Sequence, residues 1–232
     1  MAHNKMDPEG WDRPDKGVEM TSGLTVLDIE TIRADSATRS IMKDQSDVNW
    51  AKTPLSTFYG RVFAIGTGTE YMTKGVISRL ALRCYYGSDE RKVITQGCSA
   101  IGRSRLVTWN GKPFDLPFIR NRAIIHRVNV SGELKVPHYD MREYWHGTTE
   151  YKPTIVGSVG LNQVAKLLGV GGKTGHGIDV AGMHERGEWD QIAHYCLDDV
   201  LLTWKVYHRT LNYEVPVETE VEVTRHLVRC DV

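Results

Sequence analysis

The chain of 232 residues carries no net charge, because 29 lysines and arginines balance 29 aspartates and glutamates. Tight, non-specific binding of duplex nucleic acid relies on an excess of basic groups, and this balance argues against it. Cysteine is scarce: four residues, Cys84, Cys98, Cys196 and Cys230, lie far apart with no Cys-x-x-Cys pair and no zinc-type spacing. That scatter speaks against a disulfide framework and against a structural zinc site, and it fits a reducing, cytoplasmic compartment. Cys196 is expected in the core. No apolar run approaches the ~18 residues of a membrane span, and Met1–Met20 is polar without a signal core, so a soluble, non-exported protein with no membrane partner is expected. The nine histidines show no ligand spacing. There is no internal repeat. Gly171-Gly172-Lys173-Thr174 imitates a phosphate loop, but Leu167 stands where the Walker pattern requires glycine. A flexible loop is the better reading, with Lys173 a candidate contact for a substrate phosphate.

What is present suits one α/β domain with a sizeable core, since 41% of residues are hydrophobic and 25% charged. Residues 1–22 read as a flexible lead-in, 23–211 as the domain and 212–232 as a C-terminal extension of undecided structure. Leu24–Leu27 is a β-type run, Phe58–Thr67 a second and Val76–Tyr86 a third. Ser88 reads as the cap of a helix with Asp89 and Glu90 in its first turn. Leu106–Trp109 is a short strand, and Pro113 or Phe114 opens the next helix. Residues 128–157 are less regular, with a short segment around Val136–Tyr144; Leu161–Leu168 is a helix ended by Gly169, and Glu188–Leu211 a long helix without Gly or Pro. This order suits a mixed sheet flanked by helices.

Three short stretches carry the chemistry: Asp28-Ile29-Glu30, Asn110-Gly-Lys-Pro-Phe114-Asp115 and Tyr195-Cys-Leu-Asp-Asp199. Asp28 and Glu30 share one face of a strand, because side chains alternate with period two. Carboxylates so placed repel unless a cation lies between them, and a hard divalent ion with oxygen ligands answers that need. Asp115 falls in the first turn of a helix, where the dipole favours its charge. Tyr195 and Asp199 lie four apart on one helical face, whereas Asp198 points roughly 100° away from Asp199. Taken singly, each stretch has a bland reading: surface acids, a turn and an ordinary helix pair.

Together and in this order, the three stretches resemble the motifs of the DEDD 3′–5′ exonucleases. The likeness is to the tyrosine branch, near the proofreading exonuclease domains of family B DNA polymerases, and it covers roughly 24–211. The resemblance implies a ribonuclease H-like fold and two-ion phosphodiester hydrolysis with Mg²⁺ or Mn²⁺, since zinc would usually recruit His or Cys. It implies that Asp28, Glu30, Asp115 and Asp199 hold the metals, with Asp28 bridging both. Tyr195 would orient the attacking water, a phenol of pKa near ~10 being a poor base. The resemblance also puts Asn110, Phe114, the Thr31 amide and Leu116 against the terminal nucleotides, with Phe114 stacking on a base. The implied substrate is the 3′ end of a single strand, DNA favoured and RNA possible, and the products are nucleoside 5′-monophosphates. A stand-alone enzyme or a subunit beside a polymerase or other replication partner is expected.

His194 occupies the position of the general base in the family's histidine branch. On a continuous helix it lies about 140° from Asp199, which favours Tyr195. Three rivals stay open: an enzyme trimming RNA 3′ ends, a nucleic-acid-binding module without turnover, and an interaction protein acting through its terminal segments.

Overall fold

The computed structural model describes residues 20–33, 40, 49–102, 104–130, 132–146, 160–172, 179–212 and 221–231. A six-stranded mixed sheet forms its centre: β1 (Met20–Arg33), β2 (Gly60–Thr73), β3 (Val76–Tyr86), β4 (Arg105–Thr108), β5 (His138–Asp140) and β6 (Glu222–Arg229), in the order β5-β4-β1-β2-β3-β6. β1, β2 and β3 pair antiparallel, whereas β4, β5 and β6 join parallel to their neighbours. Lys74 and Gly75, both at positive φ, make the two-residue turn between β2 and β3 that twisted hairpins favour.

Six helices accompany the sheet among the described residues beyond residue 40: α1 (Glu90–Ile101), α2 (Asp115–Ile125), α3 (Met141–His146), α4 (Leu161–Leu167), α5 (Val180–Glu185) and α6 (Trp189–Asn212). β1 alternates between two cores. Leu24, Val26 and Ile32 pack with Ile192, Cys196, Val200 and Trp204 of α6, whereas Leu27 and Ile29 pack with Val93 and Ile94 of α1 and Phe118 of α2. Asp28 and Glu30 take the α6-facing positions of that alternation.

Several expectations change. β2 starts at Gly60, not Phe58, because Phe58 and Tyr59 belong to a turn closed by the Gly60 N–H on the Ser56 carbonyl at 2.7 Å. Asp89, rather than Ser88, caps α1 by accepting the Lys92 N–H at 3.0 Å. Segments on either side of 23–211 also contribute to the sheet: Met20–Ser22 pair with β2, and β6 forms the far edge along β3. The Val-rich alternation near the C-terminus marks that strand imprecisely, since 215–220 lie outside the described residues. No helix among the described residues is long and apolar enough to cross a membrane.

Glu90 fastens the layers. Its buried carboxylate accepts from Arg122 of α2 at 2.8 and 2.7 Å and from the Val62 N–H of β2 at 2.7 Å, and it lies 2.7 Å from His126 Nε2. Burial works to raise the carboxyl's pKa, but Arg122 and these other partners together hold it below the ordinary value. Glu90→Ala would strand a buried guanidinium, and we expect a loss of about 3–5 kcal/mol in urea unfolding. A carboxyl depressed on folding stabilises above its unfolded pKa. The wild type should therefore lose this contribution as pH falls through the acidic range, and Glu90→Ala should show a flatter acid limb.

Candidate active site

β4 pairs with β1 only from Leu24 to Val26. Beyond that point no strand among the described residues pairs with this side of β1, and the Ile29 N–H instead donates to Asp115 Oδ1 at 3.1 Å. A side chain thus takes over where a sheet partner ends, and it ties the first stretch to the second. Asp115 opens α2 and is only 4% exposed. Burial pushes its carboxyl up to about 7, Asp140 adds to the rise, and its own backbone N–H and that of Ile29 oppose it.

The loop before Asp115 is built with care. Asn110 adopts a left-handed φ of 69°, and its N–H donates to Asp140 Oδ1 at 2.8 Å. Lys112 N–H donates to Asp140 Oδ2 at 2.9 Å, and Arg142 Nη1 donates to Asn110 Oδ1 at 2.6 Å. A Cβ at Gly111 would collide with the Thr108 side chain, so that position needs glycine. Asp140 is a site-supporting residue that sequence reading passes over. Its signal is Asp140-Met-Arg-Glu143, an acid three residues before Glu at a helix start.

α6 brings the third stretch. Cys196 Sγ lies 3.6 Å from Asp28 Oδ2, and the ligand atoms of Asp28, Glu30 and Cys196 all lie within 4.8 Å of one another. Asp115 and Asp199 are not part of this close group; Asp115 reaches β1 through the Ile29 N–H, and Asp199 is buried on α6, three residues after Cys196. The contact with Asp28 fixes which face of α6 meets the sheet. At 100° per residue, Tyr195, Asp199 and Cys196 span one side of the helix, and His194 and Asp198 lie on the other. Accordingly Tyr195 is half-buried, Asp199 is 7% exposed, and His194 is exposed. Asp198 accepts from Arg225 at 2.7 Å on β6. A surface cavity of about 230 Å³ has Asp198, Leu201 and Lys205 of α6 in its wall, and none of Asp28, Glu30, Asp115 and Asp199 lines it.

The close approach depends on β2. A Cβ at Gly66, the residue opposite Asp28, would stand 2.7 Å from Cys196 Sγ, and one at Gly68 would stand 2.8 Å from Val200 Cγ1. Glycines inside a strand mark such approaches, and this is the signal in Gly66-Thr-Gly68 that pattern alone leaves unread. A β-bulge follows at once: Glu30 pairs with Ala64 but Thr31 with Val62, which turns the strand beside the acids.

The remaining expected residues divide. Thr31 donates its hydroxyl to the Pro54 carbonyl at 2.7 Å, and Leu116 donates its N–H to the Gly111 carbonyl at 2.9 Å. Phe114 packs against Phe118 with ring centroids 5.6 Å apart and stays half-buried. Lys173 lies outside the described residues.

The carboxylates of Asp28 and Glu30 fit a hard divalent cation, and the thiol beside them is a neighbour rather than a ligand. The Cys196 thiol, expected only in the core, stands among the carboxylates. A hydrogen bond with Cys84, then burial, then the charges of Asp28 and Glu30 raise its pKa well above the ordinary thiol value.

The model of a family described as "Predicted 3'-5' exonuclease related to the exonuclease domain of PolB" matches residues 55–228. The matched stretch includes Asp115, Tyr195 and Asp199 and begins after Asp28 and Glu30. Among solved structures, the family B DNA polymerase from the hyperthermophilic archaeon Pyrobaculum calidifontis is similar, with a TM-score of 0.50 and 16% identity. The likeness covers 83% of this chain and 25% of the polymerase chain, and it shows a shared ribonuclease H-like fold. No curated protein matches.

Gly66→Ala should lift α6 from β1. We expect about 1–3 kcal/mol of destabilisation in urea unfolding, the usual cost of overpacking, and a changed near-ultraviolet circular dichroism signal. An unchanged unfolding midpoint would contradict the close packing described.

Proposed function

The chain belongs to the family of predicted 3′–5′ exonucleases related to the exonuclease domain of PolB, and from that premise we propose that it removes nucleotides from the 3′ ends of single-stranded DNA with Mg²⁺ or Mn²⁺. The observation that carries this reading is the meeting of three sequence-distant stretches. Ile29 N–H holds Asp115, and Cys196, one residue after Tyr195, touches Asp28. The kinship with a DNA polymerase favours DNA over RNA, and a polymerase or other replication protein is the proposed partner.

Asp28, Glu30 and Asp199 would hold one cation, with Asp28 shared and Asp115 acting through water on a second. Bound divalent ions acidify an attacking water and offset charge on the phosphate. Tyr195 orients that water, and its half-buried place on the Asp199 side of α6 supports this role over His194. Thr31, Asn110, Phe114 and Leu116 seat the terminal nucleotide. The bond from Arg142 to Asn110 and the ring of Phe118 hold two of them in place. Lys173 is proposed as a contact to a substrate phosphate. The products are nucleoside 5′-monophosphates, because the scissile bond is on the 3′-oxygen side of the phosphate.

The test is digestion of 5′-labelled single-stranded DNA, RNA and duplex with Mg²⁺, Mn²⁺ or EDTA. Single-stranded DNA should shorten stepwise from its 3′ end, and EDTA should stop it. Asp28→Asn should abolish turnover, Tyr195→Phe should lower kcat by about a hundredfold or more, and His194→Ala should leave it within about twofold. No shortening of any substrate would end the enzymatic reading. Loss with His194→Ala but not Tyr195→Phe would reassign the water-orienting group.

A further inference from the structure

The segment entering β2 is tied by side-chain hydrogen bonds to β1 and α2, yet it holds large apolar side chains in water. Trp50–Leu55 forms a 3-10 turn. Its Pro54 carbonyl accepts the hydroxyl of Thr31, the residue directly after Glu30. Thr57 Oγ1 accepts from Asn121 Nδ2 of α2 at 3.0 Å, on the helix that Asp115 opens. Gly60 closes the segment against Phe118 so tightly that a Cβ there would stand 2.8 Å from the ring and 2.9 Å from the Thr53 carbonyl. The turn is therefore pinned to β1 and α2, two of the three elements that carry the acids.

On this support Leu55 and Phe58 are each 67% exposed. A single exposed apolar residue calls for no explanation. Two within four positions, on a turn held by side-chain bonds to β1 and α2, are a different case, because burying each would stabilise the fold by roughly 1.5–3 kcal/mol. Lys52 is also exposed, and in a 3-10 helix residues three apart eclipse, so Lys52 and Leu55 project from the same side. A cation beside an aromatic and an aliphatic face is the combination that binds single strands, by stacking on bases and pairing with phosphate. The lip sits where β1 and β2 end together at Arg33 and Gly60, three residues past Glu30. At a rise of about 3.3 Å per residue that is about 10 Å from the acids, the reach of a neighbouring nucleotide.

We infer that Phe58, with Leu55 and Lys52, forms a stacking lip for the nucleotides just upstream of the scissile phosphate. The inference rests on the reading of the acids as the cleavage site. Phe58 and Leu55 hold base faces there, and Lys52 meets the backbone between them. The lip grips the strand without taking part in the chemistry.

The test pairs two substrates. One is a short oligodeoxythymidylate. The other is the p-nitrophenyl ester of thymidine 5′-monophosphate, which has no upstream base. Phe58→Ala should raise KM on the oligonucleotide roughly tenfold or more with kcat little changed, and Phe58→Trp should restore it. The loss should be confined to the oligonucleotide, and the urea midpoint should not move. An equal loss on both substrates, or an unchanged KM on the oligonucleotide, would overturn the lip. Fluorescence anisotropy of the labelled oligonucleotide, with Ca²⁺ as the only divalent ion, separates the two readings. If the wild type binds here but hydrolyses nothing with Mg²⁺ or Mn²⁺, weaker binding by Phe58→Ala supports the lip while the exonuclease reading falls. If Phe58→Ala and Leu55→Ala bind the strand as tightly as wild type, the surface belongs to a protein partner and the inference is wrong.

Discussion

One hydrogen bond organises this molecule, from the Ile29 N–H to the Asp115 carboxylate. It exists because β4 leaves β1 after Val26, exposing an amide that the sheet would otherwise satisfy. A buried amide without a partner is costly, so the chain supplies one from the start of α2. The same bond sets a buried carboxyl against the strand residue between Asp28 and Glu30. Folding and the gathering of acids are thus one event at this point in the structure. The Asn110 loop, the Asp140 clamp and the Thr108–Gly111 contact all serve to deliver Asp115 to that amide.

The opposite wall has a different origin. α6 reaches Asp28 because β2 presents Gly66 and Gly68 where side chains would hold the helix away. Apolar packing of Ile192, Cys196, Val200 and Trp204 supplies the force, and the missing Cβ atoms supply the proximity. The resulting site sets two half-buried carboxylates beside a buried thiol, which packs against them without the charge a ligand needs. Carboxylates packed this closely repel one another, and a bound cation would offset that repulsion.

Much of this architecture is legible in the sequence. The alternation from Leu24 to Glu30 puts Asp28 and Glu30 on one face of the strand, and uninterrupted helical spacing marks Glu188–Leu211 within one residue at each end. The order of strands and helices gives the mixed sheet. Other features depend on tertiary partners that no local pattern announces. Phe58 reads as a strand residue by its neighbours, but Thr31 and Asn121 hold its segment out as a turn. Glu90 reads as a first-turn helix acid, yet Arg122, thirty-two residues later, draws it into the interior. Cys196 reads as core, which it is, and only the docking of α6 shows that its sulfur also faces Asp28. β6 hides because its apolar pattern is spread along a strand that is partly buried on both faces.

The central claim is that these scattered acids make one cation site, and counting bound Mn²⁺ by electron paramagnetic resonance tests it most directly. The account predicts that the wild type holds two ions that Mg²⁺ displaces, and that Asp28→Asn, still folded by circular dichroism, loses both. Equal Mn²⁺ binding by the wild type and Asp28→Asn would contradict it.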